Sequence, residues 1–306
     1  MLRRLVARPR RGTSIIEVVV AMVVGGVVLA LISTIAVRQQ RLFSDVTGSI
    51  ALDGQLREAA AILPIDLRGV SVASHDIREA RDTSIELRGT IAGAVVCDTI
   101  ADGLVLAPST AGATTYASFL TSAEVGDTVW VLTPTDSADD WRPFGVGSVG
   151  TAAPKQCAAS GPQLGDSARV LPRVAIGLSP RPPSTSAMIG LAVRVTRPVR
   201  YSLYRASDGA WYLGEKDWST PAARFNTVQP VSGPFLSAAS RGLVFTYLDS
   251  AGAAIAAPFA DSVAIAAIRL SLSGQTKNVA RVLSAAAPPA RRIDSAVVTV
   301  LLHNRR

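Results

Sequence analysis

Few residues in this chain are equipped for chemistry. Two histidines and two cysteines are the whole inventory of those types in 306 residues. A Ser-His-Asp site would need His75 or His303 as its base. His75 lies in the polar stretch Ser74-His75-Asp76 and His303 three residues from the last position, so both read as solvated side chains. Neither is spaced from Cys97 or Cys157 as zinc ligands are, and no metal is expected. The motifs Ser-x-x-Lys, His-Glu-x-x-His, Gly-x-Ser-x-Gly and Gly-x-x-x-x-Gly-Lys do not occur. Gly145-Val146-Gly147-Ser148-Val149-Gly150 formally matches the dinucleotide fingerprint. That motif needs a strand before it and a helix after it. Here Trp141-Arg142-Pro143-Phe144 precedes and Thr151-Ala152-Ala153-Pro154 follows, so the run reads as a flexible glycine loop and no cofactor is expected. Asp136, Asp139 and Asp140 offer oxygens that calcium would accept, but they fit no calcium-loop spacing and read as an acidic surface turn. In an exported domain, two cysteines suggest one disulfide, Cys97–Cys157, closing a loop of about 60 residues and worth ~2–4 kcal/mol. Two buried free thiols are the alternative.

That leaves one carboxylate in an unusual place. Glu17 stands directly before twenty uncharged residues, Val18–Val37. Twenty helical residues rise about 30 Å, the thickness of a bilayer's hydrocarbon core. A charge at the front of such a run is costly unless a fixed positive group neutralises it. The chain carries a formal charge of +8, which raises the question of nucleic acid. Five of those charges, Arg3, Arg4, Arg8, Arg10 and Arg11, fall in residues 1–12 and leave +3 on the rest. The remaining basic residues are scattered, so no direct nucleic-acid contact is expected. The basic leader fits the positive cytoplasmic flank of a membrane helix.

Arg11-Gly12-Thr13-Ser14-Ile15-Ile16-Glu17, followed by the apolar run, resembles the processing site of type IV prepilins and type II secretion pseudopilins. In that family a prepilin peptidase cuts after the glycine and methylates the new amino terminus. The resemblance implies cleavage between Gly12 and Thr13, N-methylation of Thr13, and an assembly carboxylate at Glu17, the fifth mature residue. The amine freed on Thr13, in the same or a neighbouring subunit, would be the positive partner of Glu17. Thr13 stands where the family usually has phenylalanine, and Thr34 where major pilins carry a proline midway along the helix.

Beyond Val37, Leu42, Val46, Ile50, Leu56, Ala60, Leu63 and Leu67 recur at mostly three- and four-residue intervals and predict an amphipathic continuation over 38–68. Pro64 is expected to end or kink it, and Gly69 to terminate it. From Thr13 to Leu63 this makes roughly 75 Å of helix. Short β-rich runs follow: Ser84–Arg88, Ala94–Cys97, Leu104–Ala107, Thr128–Thr133, Ala168–Ile176, Leu191–Tyr204, Leu243–Leu248, Val263–Leu272 and Ala296–Leu302. Gly, Pro, Asp and Ser clusters bound them, as in an antiparallel meander. Gly177–Ser186 reads as a loop, and residues 70–190 as an insertion-rich first half of one head. The succession Val199–Arg205, Trp211-Tyr212-Leu213, Pro230–Gly233, Leu243–Asp249 and Val297–Arg306 resembles the heads of PilW-like minor pilins and J-type minor pseudopilins.

The expected fold is therefore α+β: a long N-terminal helix, part transmembrane and part amphipathic, on a β-rich antiparallel pilin-like head. Residues 1–12 would be a leader, 13–37 the membrane and filament-core helix, 38–68 its amphipathic continuation and 69–306 the extracytoplasmic head. The resemblance implies a non-enzymatic minor pilin or pseudopilin that primes or assembles a type IV pilus or type II secretion pseudopilus. Its partners would be other pilins or pseudopilins through the helix, the prepilin peptidase, the inner-membrane assembly platform, and lipid before assembly. It would cross the inner membrane once, amino terminus cytoplasmic and head periplasmic, and then enter a pilus or pseudopilus at the cell surface. Two other readings stay open: an adhesin or ligand-binding head carried by a pilin stem, and a signal-anchored extracytoplasmic enzyme. An aromatic groove on the head would favour the first, and a titratable cluster in a deep pocket the second.

Overall fold

The computed structural model describes residues 14–72, 74–108, 117–134, 139–258, 264–276 and 291–302. The chain divides into two units, residues 1–51 with 276–292, and residues 52–275 with 293–306. One helix, α1 (Ile15–Arg68), contributes to both. α1 runs on through Pro64 instead of ending there, and stops at Arg68 with Gly69 terminating it as expected. Pro64 is itself buried between Leu63 and Leu67, so packing outweighs the missing N–H.

In the first unit, residues 14–43 of α1 are exposed on every side. The hydroxyl of Thr34 donates to Ala30 O at 2.8 Å, so this polar group is satisfied within the helix. Near its end, Arg292 Nη1 donates to Ser49 Oγ at 3.3 Å, and Thr276 N–H to Arg292 O at 2.9 Å.

In the second unit, Leu52, Leu56, Ala59, Leu63 and Leu67 are buried and follow one helical face. The amphipathic pattern read from sequence needs correction here. Leu42, Val46 and Ile50 are 55%, 49% and 66% exposed, and Leu52 and Ala59 are buried instead. Intramolecular packing therefore starts at Leu52.

The strands of the first half of the head are β1 (Ile77–Ala80), β2 (Ser84–Ile100), β3 (Gly103–Leu106), β4 (Ala117–Phe119), β5 (Thr128–Pro134), β6 (Asp139–Ala152) and β7 (Arg173–Ser179). A short helix, α2 (Asp166–Arg169), precedes β7 and replaces the start of the strand expected at Ala168. Next come β8 (Ala192–Arg205), β9 (Trp211–Ser219), β10 (Arg224–Phe225) and β11 (Gln229–Phe235). The last four are β12 (Leu243–Leu248), β13 (Ala254–Ile255), β14 (Ala267–Gln275) and β15 (Ile293–Leu301). All pairings are antiparallel.

Their order produces two cores. Strands β2, β8, β9, β11, β14, β12 and β15 form a sheet that α1 covers from Leu52 onward, around Tyr201, Leu213, Phe245, Tyr247, Leu270 and Leu272. Gly274 lies beneath the helix; a Cβ there would meet Leu52 Cδ1 at 2.6 Å. The Ser232 hydroxyl donates to Gln55 O at 2.9 Å and fixes the same contact.

The second core comes from the first half of the head. β2 pairs with β3, β3 with β7, β7 with β6, β6 with β5, β5 with β8, and β8 returns to β2. This ring is a closed barrel, which leaves no edge among its members. Val96, Leu104, Leu106, Val129, Val131, Ile176, Val193 and Val195 fill it. The glycine run at 145–150 is part of β6, not a loop. Close strand approach explains Gly145, where a Cβ would lie 3.1 Å from Ser179 O; at Gly150 a Cβ would meet nothing within 4 Å. β2 and β8 serve both cores in one ladder from Ser84↔Ser202 to Val95↔Ala192. Ile91 is an extra residue in that ladder, a bulge where the sheet passes into the barrel.

Candidate functional site

The cysteines meet as expected: Cys97 and Cys157 are disulfide-bonded, with Cα atoms 4.7 Å apart. The bond ties residues 153–165 to the barrel strand β2, and Leu164 and Ala168 pack around it. Beside it, Arg173 is only 2% exposed, and its guanidinium makes no hydrogen bond.

Of the assembly residues read from sequence, Gly12 and Thr13 lie outside the described residues. Glu17 occupies the first turn of α1, where an acid faces the positive end of the helix dipole. Its N–H donates to Ser14 O at 3.0 Å, and its side chain is exposed. Around and after it, Ile16, Val20, Val24, Val27, Leu31 and Ile35 are all more than half exposed. Among the described residues, α1 is the one helix long and apolar enough to cross a membrane. Its apolar surface extends all round, which a stripe facing this chain's own core would not require. The surface is therefore suited to lipid or to several neighbouring helices.

Comparison with protein-family models, curated proteins and solved structures finds no match. The site is accordingly read from its own chemistry.

The head contains a second feature, which the sequence did not reveal. A cavity of about 460 Å³ opens where the end of α1, the bulge of β2 and strand β9 meet. Asp66, Glu124, Glu215 and Asp217 line it, with Arg197 and Trp218. Glu215 and Asp217 are two apart on β9 and share a face, and Glu215 stands opposite Tyr201 on β8. The Tyr201 hydroxyl donates to Asp66. Burial, then the Asp66 carboxylate, raises the Tyr201 hydroxyl well above its usual range. Burial, then the neighbouring Asp217 and Asp66, pushes the Glu215 carboxyl up to about 7. Arg197 donates to Asp127 at 2.8 and 2.7 Å and lies 3.5 Å from Glu124, so its one charge is shared among several acids and offsets those around Glu215 only in part. Glu-x-Asp on an alternating strand was the available signal, but it gains meaning only when Asp66 of the helix arrives beside it.

The other candidates separate. His75 is an exposed turn residue with φ of 52°, and its carbonyl accepts from Arg88. His303 and Asp136 lie outside the described residues. Asp140 is exposed, 3.9 Å from Arg142. No metal-holding group of His, Cys, Asp or Glu occurs among the described residues.

Behind the helix, a buried pair joins the segment after α1 to the barrel. Arg194 on β8 donates to both oxygens of Asp76, at 2.7 and 3.3 Å, and Ser71 N–H adds a third bond at 2.8 Å. Its guanidinium also lies 5.1 Å from the Trp130 ring and 5.3 Å from that of Trp141. Burial pushes the Asp76 carboxyl up against the pull of Arg194.

Proposed function

We propose that this chain is a minor pilin or pseudopilin, a structural subunit that helps to prime or assemble a type IV pilus or type II secretion pseudopilus. One observation carries the reading. From Ile15 to Val37 α1 is apolar apart from Glu17 and exposed on every side, and Glu17 is the one acid in its first turn, five residues after Gly12. Such a surface is satisfied first by lipid and then by the helices of other subunits. A carboxylate at its tip is stable in that company when an amine neutralises it. The freed amine of Thr13 has the right charge and sequence position. In this reading the prepilin peptidase removes residues 1–12, the head lies outside the membrane, and the motor is another protein.

The test has two arms. Intact mass of the protein extracted from peptidase-positive membranes should correspond to a chain starting at Thr13; retention of residues 1–12 would overturn the reading. Glu17→Ala should lower recovery in sheared filaments by at least about tenfold, because an ion pair in apolar surroundings exceeds the ~0–1 kcal/mol of an exposed one. Undiminished recovery would remove the assigned role of Glu17.

The acidic cavity favours a second reading, in which the head binds a small organic cation and the helix is its carrier. Saturable binding of a diamine to the full chain, abolished by Asp217→Asn, would support it. Absence of binding would dismiss it.

A further inference from the structure

Strand β15 pairs with β14 along all nine of its residues and with no other strand among the described residues. Its open edge has little of the usual protection: the strand's one charge, Asp294, stands among the inward-facing even-numbered positions. The strand contains no proline, lysine or arginine, and its ladder has no bulge. The other strands with one neighbour differ: β13 and β10 have two residues each, β4 has three, and the four-residue β1 carries Arg78 and Glu79.

The backbone of this edge is unpaired in a regular way. Ser273 N–H donates to Gly242 O at 2.9 Å, so the odd-numbered residues of β14 turn their polar groups toward β12. The even-numbered ones then face β15, where they lie opposite even-numbered residues such as Ile268↔Val300. In an antiparallel strand these groups alternate between the two edges. The N–H and C=O of Ile293, Ser295, Val297, Thr299 and Leu301 therefore point to the open side.

The same five residues present their side chains outward. Ile293, Val297 and Leu301 are 62%, 61% and 60% exposed, and Ser295 and Thr299 are exposed as well. On the opposite face, Ala296, Val298 and Val300 pack into the core under α1. The outward row reads the same in both directions by chemical type: aliphatic, hydroxyl, aliphatic, hydroxyl, aliphatic.

That symmetry identifies the occupant. We propose that the open edge of β15 pairs with β15 of a second copy of this chain, antiparallel, about a two-fold axis at Val297. In that register Ile293 faces the copy's Leu301, Ser295 faces its Thr299, and Val297 faces itself. Every outward side chain meets its own kind, and every open N–H and C=O finds a partner. An isologous contact of this sort needs one self-complementary surface, which the row provides. An unrelated strand would have no reason to select the palindrome. The pairing is independent of the helix surface through which a filament subunit would assemble.

The test uses the full chain in detergent micelles, with oligomeric state read by sedimentation. The wild type should be a dimer. Val297→Lys and Val297→Glu place like charges opposite each other at the axis, so each alone should weaken the dimer by about tenfold or more. An equimolar mixture of the two should restore it, which a merely unfolded variant could not do. Under mild oxidation, Val297→Cys should form a cross-linked dimer and Ser295→Cys should not. A mixture of Ser295→Cys with Thr299→Cys should cross-link, because those positions are opposite. A monomeric wild type would overturn the proposal. So would a dimer indifferent to Val297→Lys, a failure of the charge-swapped mixture, or equal cross-linking by Ser295→Cys.

Discussion

Along α1, residues 15–43 and residues 52–68 treat their apolar side chains in opposite ways. In the first segment leucine, isoleucine and valine occur on all sides of the helix and remain exposed. In the second they are confined to a stripe, and that stripe is buried against the sheet. A helix apolar all round matches surroundings that are apolar all round, whereas a striped helix needs only one face covered. The difference separates two roles within one continuous element. The striped part belongs to the head's own stability. The uniform part adds no buried side chain to the head's core and is a candidate membrane span.

Three substitutions can break or sharpen this contrast. Leu63→Ala removes a side chain with no exposure and should cost about 2–5 kcal/mol in thermal or denaturant unfolding of the head. Leu42→Ala, at a position 55% exposed, should stay within about 0.5 kcal/mol. Equal losses from the two would erase the distinction. Val27→Lys puts a charge near the middle of the uniform segment. It should weaken membrane retention under alkaline extraction by about 2.5–3.5 kcal/mol while leaving the head's melting unchanged. A shifted melting temperature would mean that the segment supports the head after all.

A further contrast concerns acids. Glu17 is exposed at one end of α1, whereas Asp66 near the other end accepts from Tyr201 beside the half-buried Glu215. With its carboxyl at about 7 against an ordinary 4.5, folded Glu215 keeps a proton that the unfolded chain releases. The associated stability is complete below about pH 4.5 and is lost as pH rises through about 7. Solvent around a half-exposed group limits it to the order of 1 kcal/mol. Glu215→Gln should flatten the decline of melting temperature between pH 5 and 7 relative to wild type. An unchanged slope would show that another group titrates there.

These contrasts were unevenly legible in the sequence. The helix announced itself because Val18–Val37 contain no charge, and Leu243–Leu248 was read to the residue because alternation and flanking turns agreed. Leu42, Val46 and Ile50 satisfied a helical period yet face outward, since a period specifies a face and not what covers it. The barrel was missed for two physical reasons. Its β6 contains Gly145, Gly147 and Gly150, which resemble a loop in one dimension, although close approach to β7 favours glycine only at Gly145. Its closure also depends on β8 pairing with β2, about a hundred residues away, and no local pattern encodes that distance. The disulfide needed only counting, whereas the acidic cavity needed the helix to bring Asp66 to a strand 150 residues later.

The ladder shared by β2 and β8 also has a consequence in time. Both cores require it, so a chain made amino end first can close neither until residues 192–205 have followed. Until then β2 waits with open hydrogen-bonding edges, the state most open to mispairing. Cys157 is made well before Ala192, so a bond to Cys97 can already hold β2 in a loop before its permanent neighbour follows. For the exported head proposed above, the cross-link would act as a chaperone built into the chain.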